Sequence, residues 1–240
     1  VVDSKIKFKS FKIPLLRVRD ARKSLSEACS NFYKEKPSHI VAVTGTNGKT
    51  SVADFFFQLF KLNKIRAASI GTLGIESNLF KKKITLTSPD PLLLHKSLSE
   101  LKKKGVNIVI LEASSHGLDQ KRLDHIDFKA AAFTNLSRDH LDYHKNMDCY
   151  LNSKLYLFNN LLNKKKFCIT DEANIFFNKL KKICKRKKIN INSIGHNCGN
   201  LKILSQKYNN DFQEIKFLYN NKTYKLITSL FGQYQINNLL

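Results

Sequence analysis

From residue 39 onward, short apolar runs alternate with longer stretches whose apolar residues recur every three or four positions. The first kind reads as buried strands and the second as helices packed on one face. Residues 39–45 (HIVAVTG), 67–71 (AASIG), 107–114 (NIVILEAS), 129–135 (KAAAFTN) and 165–170 (KKFCIT) predict strands. Residues 49–63 predict a helix buried through Val52, Phe55, Phe56, Leu59 and Phe60. Pro91 opens a second helix with Leu94, Leu98 and Leu101, which stops at Gly105. Residues 147–162 and 172–188 predict two more. Strands alternating with helices predict an α/β fold built on a doubly wound, mostly parallel sheet.

The two ends break this rhythm. Residues 1–37 are mixed, with one short helix from Asp20 to Cys29 whose apolar positions are Ala21, Leu25, Ala28 and Cys29. After about residue 190, DFQEIKFLY and TYKLITSLF alternate around Asn220 and Asn221, which predicts a small antiparallel hairpin appended to the sheet. The last residues, FGQYQINNLL, read as the start of a helix or linker.

Composition narrows the class. Five scattered cysteines (Cys29, Cys149, Cys168, Cys184, Cys198) with no CxxC spacing predict reduced thiols in a cytoplasmic protein, not a disulfide frame or zinc site. No apolar run reaches the roughly 20 residues of a membrane helix, and no membrane role is expected. Lys+Arg is 42 against Asp+Glu 19, a net charge of +23. The alternative of a basic nucleic-acid-binding protein is weighed on that charge, but the lysine runs fall at turns and element ends and accompany no reading motif. A solvated surface is the preferred explanation, with no nucleic-acid partner and a monomeric chain.

The sharpest chemical signal is Gly45, Thr46, Asn47, Gly48, Lys49, Thr50 and Ser51, between a strand and a helix. Such a loop turns backbone N–H groups and a helix N-terminus toward a phosphate. Lys49 is expected to reach the β- and γ-phosphates of ATP, and the Thr50 hydroxyl to hold Mg²⁺. Val43 stands where the general phosphate loop has its first glycine. Glu112 ends a buried strand at the same sheet edge, where a carboxylate is a natural Mg²⁺ ligand or, equally, a helix cap. His140 follows another strand; by itself a loop histidine is more often packed or solvated. Asp90 before Pro91 is a good helix cap. Arg122 suits a carboxylate or phosphate, or an ion pair with Asp119 or Asp124.

The GTNGKT form of the loop resembles the Mur ligase family and the related folylpolyglutamate synthetases. Residues 112–122 resemble that family's E-x-S-S-H-G-L-x-Q-x-R, residues 134–144 its T-N-L-S-x-D-H-L-D-Y-H, and Lys154 falls where the family has a modified lysine. The S-S-H-G-L and D-H-L-D-Y-H forms are those of its tripeptide-forming members. The resemblance implies an ATP-dependent amide ligase that uses Mg²⁺ and joins UDP-muramoyl-dipeptide to an amino acid, diaminopimelate or lysine, through an acyl phosphate. A sibling Mur ligase or a folylpolyglutamate synthetase is the alternative. It further implies that His140 and a carbamylated Lys154 hold a second Mg²⁺, and that Thr87, Ser88, Ser114, Gln120 and Arg122 bind substrate. His116 and His144 are read as supporting residues. By the same resemblance, residues 1–37 correspond to the remnant of a uridine-binding domain, 38–232 to the ATP-binding domain, and 233–240 to the start of a continuation toward an amino-acid-binding domain. Tyr150, Lys154 and Phe158 fall on one helix face, so Lys154 is expected to be drawn inward, where an amine loses its charge more easily.

Overall fold

The computed structural model describes residues 2–6, 14–196 and 199–240; Cys198 lies outside them. In chain order the elements are β1 (Val2–Asp3), β2 (Arg17–Val18), α1 (Ala21–Phe32), β3 (His39–Thr44), α2 (Lys49–Leu62), β4 (Ala67–Gly71), β5 (Gly74–Ser77) and β6 (Lys81–Lys82). There follow α3 (Pro91–Lys103), β7 (Ile108–Glu112), α4 (Ser115–Asp119), β8 (Phe128–Phe133), α5 (Leu141–His144) and α6 (Met147–Tyr156). The last are β9 (Leu162–Asp171), α7 (Phe177–Lys187), β10 (Asn190–His196), β11 (Leu201–Tyr208), β12 (Gln213–Tyr219), β13 (Lys222–Thr228) and α8 (Gln233–Leu239).

Eleven strands form one sheet in the order β13-β12-β11-β10-β9-β8-β3-β7-β4-β5-β6. Its centre, from β4 to β11, is parallel. The central strands are apolar because helices cover the sheet; Ile40, Ala42, Ala68, Val109, Leu111, Phe128 and Ala131 belong to one core with Leu94, Leu98 and Leu101 of α3. The expected hairpin is present as β12–β13, antiparallel and continuous with the main sheet through β11. The β4–β5–β6 edge is also antiparallel and was not anticipated. Its signal was there to read: Gly71 and Gly74 bracket a two-residue turn between AASIG and GIES.

Several boundaries and faces moved, each for a packing reason. The helix expected through residue 162 is regular only to Tyr156, and Leu157–Leu161 form a π turn. The wider turn buries Leu157, Phe158 and Leu161 together. The helix expected from residue 172 begins at Phe177, because Asp171 first accepts from the Ala173 N–H at 2.8 Å and closes a turn over the end of β9. On α2 the deeply buried residues are Ala53 and Phe57, while Leu59 is exposed. Ala53 packs with Val43 and Ile110, and its small side chain lets the helix sit close to the sheet.

Helix α1 buries Cys29, as its apolar spacing predicts, but Ser26 takes the inward place expected of Leu25. Leu25 and Ala28 are exposed, and Ser26 and Cys29 are buried. Ser26 donates to the Asp124 carbonyl at 2.7 Å and lies 3.4 Å from His95 Nε2 of α3. His95 is fully buried, and its pKa is pushed down from 6.5 to about 4, first by burial and then by Lys36, with a backbone contact at Asp124 opposing and His125 adding to the fall. The unfolded chain therefore binds a proton at His95 that the folded chain refuses between pH 6.5 and about 4. Stability from this group is complete above pH 6.5 and is lost as the pH falls toward 4. Burial of the neighbouring Asp124 raises its pKa and gives a slope of opposite sign. Replacing His95→Asn should thus flatten the acid limb of a plot of unfolding free energy against pH. Parallel curves from urea titrations of parent and variant would show that His95 does not carry it.

Candidate active site

The site lies at the carboxyl ends of β3, β7 and β8, where the helix-forming connections leave the sheet in different directions. β3 ends at Thr44, whose hydroxyl donates to the Ala113 carbonyl at 2.8 Å. The chain then turns through Gly45, with φ +152°, and Gly48, with φ +84°, before α2 begins at Lys49. A side chain at Gly45 would meet Thr134 Oγ1 at 1.9 Å, so the close approach of the loop to the end of β8 requires glycine. Asn135 carries that contact further: its side chain accepts from the Asn47 N–H at 2.9 Å and donates to the Asn47 carbonyl at 3.1 Å.

Two lysines converge on this loop. Lys49 Nζ donates to the carbonyls of Gly45 (2.9 Å) and Thr46 (2.8 Å), and Lys154 Nζ donates to the same Gly45 carbonyl at 2.8 Å. Lys154 is 1% exposed, as its helix face predicts. Burial and the nearby Lys49 push its pKa from 10.5 to about 7, with Asp139 opposing. Burial lowers the Lys49 pKa as well, against the pull of Glu112 and Asp139. Tyr150, one turn before Lys154, is fully buried, donates to Thr46 Oγ1 at 3.2 Å and places its ring 4.4 Å from Lys154 Nζ. Sequence reasoning placed Tyr150 on the correct face but gave it no part in the loop.

Glu112 is 2% exposed, at the end of β7. Its carboxylate accepts from Thr50 Oγ1 at 2.9 Å, from the Thr72 N–H at 2.8 Å and from Thr72 Oγ1 at 3.2 Å. The Thr50 hydroxyl beside the phosphate loop and the Glu112 carboxylate at the end of β7 form a hard oxygen donor set of the kind Mg²⁺ prefers. The Thr50 proton points at Glu112, which leaves the oxygen lone pairs for a cation. Among the described residues no three His, Cys, Asp or Glu side chains form a metal cluster by themselves. His140 is about half exposed, lies 3.5 Å from Asp139 through Nε2, and lines the same cavity as Lys154. Its ring packs edge-on against His116 at 5.0 Å. His116 also lies 4.2 Å from the Tyr143 ring, and His144 is buried beneath. Burial and neighbouring positive groups lower the pKa of both His116 and His144.

The cavity, about 480 Å³, is lined by Thr46–Ser51, Thr87, Ser88, Ser114, Arg122, His140 and Lys154, together with Thr72 and His116. The expected substrate residues divide. Thr87, Ser88, Ser114 and Arg122 line the cavity and Gln120 does not; Ser88 donates to the Glu112 carbonyl at 2.7 Å, and Ser114 accepts from the Gly117 N–H at 3.0 Å and caps α4. Gln120 lies behind Arg122, accepting from its Nε at 3.1 Å and donating to Tyr143 at 3.2 Å. Arg122 makes no ion pair with Asp119 or Asp124; it holds Gln120 and the Ser88 carbonyl, at 2.8 Å. Asp90 caps α3 by accepting from the Leu93 N–H at 3.0 Å.

A parallel α/β sheet with a glycine-turned loop, a following lysine and threonine, and a carboxylate on the adjacent strand defines a phosphate-loop domain. The profile of the Mur ligase middle domain matches residues 43–240. The chain belongs to the Mur ligase family. Two UDP-N-acetylmuramoyl-L-alanyl-D-glutamate--2,6-diaminopimelate ligases are similar to it. That of Brucella melitensis biotype 1 is 51% identical over 152 residues, 63% of this chain and 31% of the relative. That of Rickettsia bellii is 40% identical over 229 residues, 93% of this chain and 48% of the relative. A solved structure of a ligase of the same name superposes with a TM-score of 0.82 at 28% identity, over 93% of this chain and 47% of the other. The chain thus spans half or less of the length of these relatives.

Removing the Tyr150 hydroxyl isolates its hold on the loop. Tyr150→Phe should cost about 0.5–1.5 kcal/mol of stability, the usual worth of one hydrogen bond, and should speed amide hydrogen exchange at Thr46 and Asn47. Exchange unchanged at those two amides would separate Tyr150 from the loop.

Proposed function

We propose that this domain is the ATP-binding part of an amide ligase that adds diaminopimelate to UDP-N-acetylmuramoyl-L-alanyl-D-glutamate. The observation that carries the reading is convergence: Lys49, Thr50, Lys154, His140, Thr87 and Arg122 line one cavity, with Glu112 directly beneath it. The names of the similar ligases supply the substrates.

In this reading a substrate carboxylate oxygen attacks the γ-phosphorus of ATP, the bond to the β-phosphate oxygen breaks, and ADP leaves. The amine of the incoming amino acid then attacks the acyl carbon, phosphate departs, and the amine gives up a proton. The protein contributes position and charge, since little covalent chemistry falls to it. The loop amides and Lys49 cradle the β- and γ-phosphates. Thr50 and Glu112 would hold one Mg²⁺, and His140 with a carbamylated Lys154 a second; when bound, these ions offset charge on the transferred phosphoryl group. Arg122 and Thr87 line the same cavity and would meet the peptide carboxylate there. Lys154 suits carbamylation because an amine with a pKa of about 7 is substantially neutral at physiological pH and can add CO₂.

The test uses a chain extended to the length of the relatives, supplied with UDP-N-acetylmuramoyl-L-alanyl-D-glutamate, ATP and diaminopimelate. Tripeptide and phosphate should form, and Thr50→Ala and Glu112→Ala should each lower the rate on the order of 10²–10³-fold. An absence of tripeptide, or mutants that turn over like the parent, would sink the proposal. A carbamate at Lys154 should give a ¹³C resonance after equilibration with ¹³CO₂, absent in Lys154→Ala and accompanied by partial rescue of that variant by short-chain carboxylates. No such resonance, together with a fully active alanine variant, would remove Lys154 from the site.

A further inference from the structure

We infer that Thr72, in the turn between β4 and β5, is the positioning residue that aims the Glu112 carboxylate at the cation site. The inference rests on the reading of Glu112 as a metal ligand. The terminal torsion of a glutamate is broad, so a buried carboxylate at the end of a strand needs something to fix its plane. Thr72 does this twice. Its N–H donates to one carboxylate oxygen, Oε1, at 2.8 Å, and its hydroxyl donates to the other, Oε2, at 3.2 Å. With Thr50 also donating to Oε2 at 2.9 Å, three donors surround the group, from two separate segments of the chain.

The backbone supports the same arrangement. Gly71 precedes Thr72, and a side chain there would lie 2.0 Å from Glu112 Oε1. The turn can therefore reach the carboxylate only because residue 71 has no Cβ. Proton counting then gives the contacts a direction. A hydroxyl has one proton, and a carboxylate can only accept, so the Thr72 proton goes to Glu112. The contact between Thr72 Oγ1 and Thr87 Oγ1, at 3.1 Å, must then run from Thr87 to Thr72. Thr87, Thr72 and Glu112 form a directed chain of hydroxyls that ties the loop before α3 to the metal carboxylate.

The experiment titrates the 240-residue chain with ADP by calorimetry, once in EDTA and once with saturating Mg²⁺. It compares the parent with Thr72→Val, Thr72→Ser and Glu112→Gln. Valine keeps the shape and the backbone N–H of residue 72 but removes the hydroxyl. A hydrogen bond to a charged group is worth enough to predict that Thr72→Val loses about tenfold of the Mg²⁺-dependent gain in ADP affinity. The difference from the parent should vanish in EDTA, and Thr72→Ser should recover the gain. Glu112→Gln should abolish it. If Thr72→Val keeps the parent's gain while Glu112→Gln loses it, Thr72 has no positioning role although Glu112 remains the ligand. A valine deficit that persists in EDTA, or that serine does not repair, marks a merely structural residue and overturns the inference. A parent whose ADP affinity ignores Mg²⁺, or a Glu112→Gln variant that keeps the gain, overturns the ligand reading itself.

Discussion

The carbonyl of Gly45 is the point on which the site depends. It accepts from Lys49 and from Lys154, two largely buried amines drawn to the same oxygen; burial lowers the pKa of both, and the nearby Lys49 helps to bring that of Lys154 to about 7. Neither lysine could sit there in an apolar core; a cation without a partner is expensive to bury. The loop supplies the carbonyls of Gly45 and Thr46 as acceptors, and these make close packing of the two amines tolerable. Lys49 also brings positive charge to the place where a polyphosphate would bind.

The fold supplies the parts of this arrangement from distant stretches of sequence. Gly45 and Lys49 come from the β3–α2 turn, Glu112 from β7, Thr134 and Asn135 from the end of β8, and Tyr150 and Lys154 from α6. Parallel strands bring their carboxyl ends to one edge, so residues some 60 to 110 positions apart meet without any long loop. The glycines at 45, 71 and 117 are a condition of that meeting, since each faces a side chain that a Cβ would strike within 2.5 Å: Thr134, Glu112 and Ser88.

Buried polar contacts away from the loop serve the same end. Ser88 ties the segment before α3 to the end of β7, and Arg122 holds the Ser88 carbonyl from the other side. Ser26, His95 and Asp124 join α1 to α3 through hydroxyl, imidazole and backbone groups where apolar packing would be the simpler solution. The lysine runs that make the chain basic are kept apart from these contacts. They lie at the edge strand β6, at the end of α3, at the start of β9 and at the end of α7.

The sequence alone determined the strand–helix alternation, the phosphate loop, the cap at Asp90 and the inward face of Lys154. These are local consequences of periodicity, of glycine placement and of what a polar group can do for a helix end. Glu112 was readable as a metal ligand or a cap from its place at the sheet edge, whereas the His140 and Lys154 assignments came from motif resemblance, because nothing in their spacing says that they share a cavity. Tertiary structure decided the rest. That Ser26, not Leu25, is the buried face of α1 depends on a carbonyl some hundred residues away. That Thr87, Ser88, Ser114 and Arg122 line one cavity, while Gln120 lies behind Arg122, depends on how the loops before α3 and around α4 pack together. The hold of Thr72 on Glu112 requires a turn and a strand end to meet, and hydrogen-bond direction follows from that meeting, because a single hydroxyl proton cannot be assigned until both of its neighbours are known.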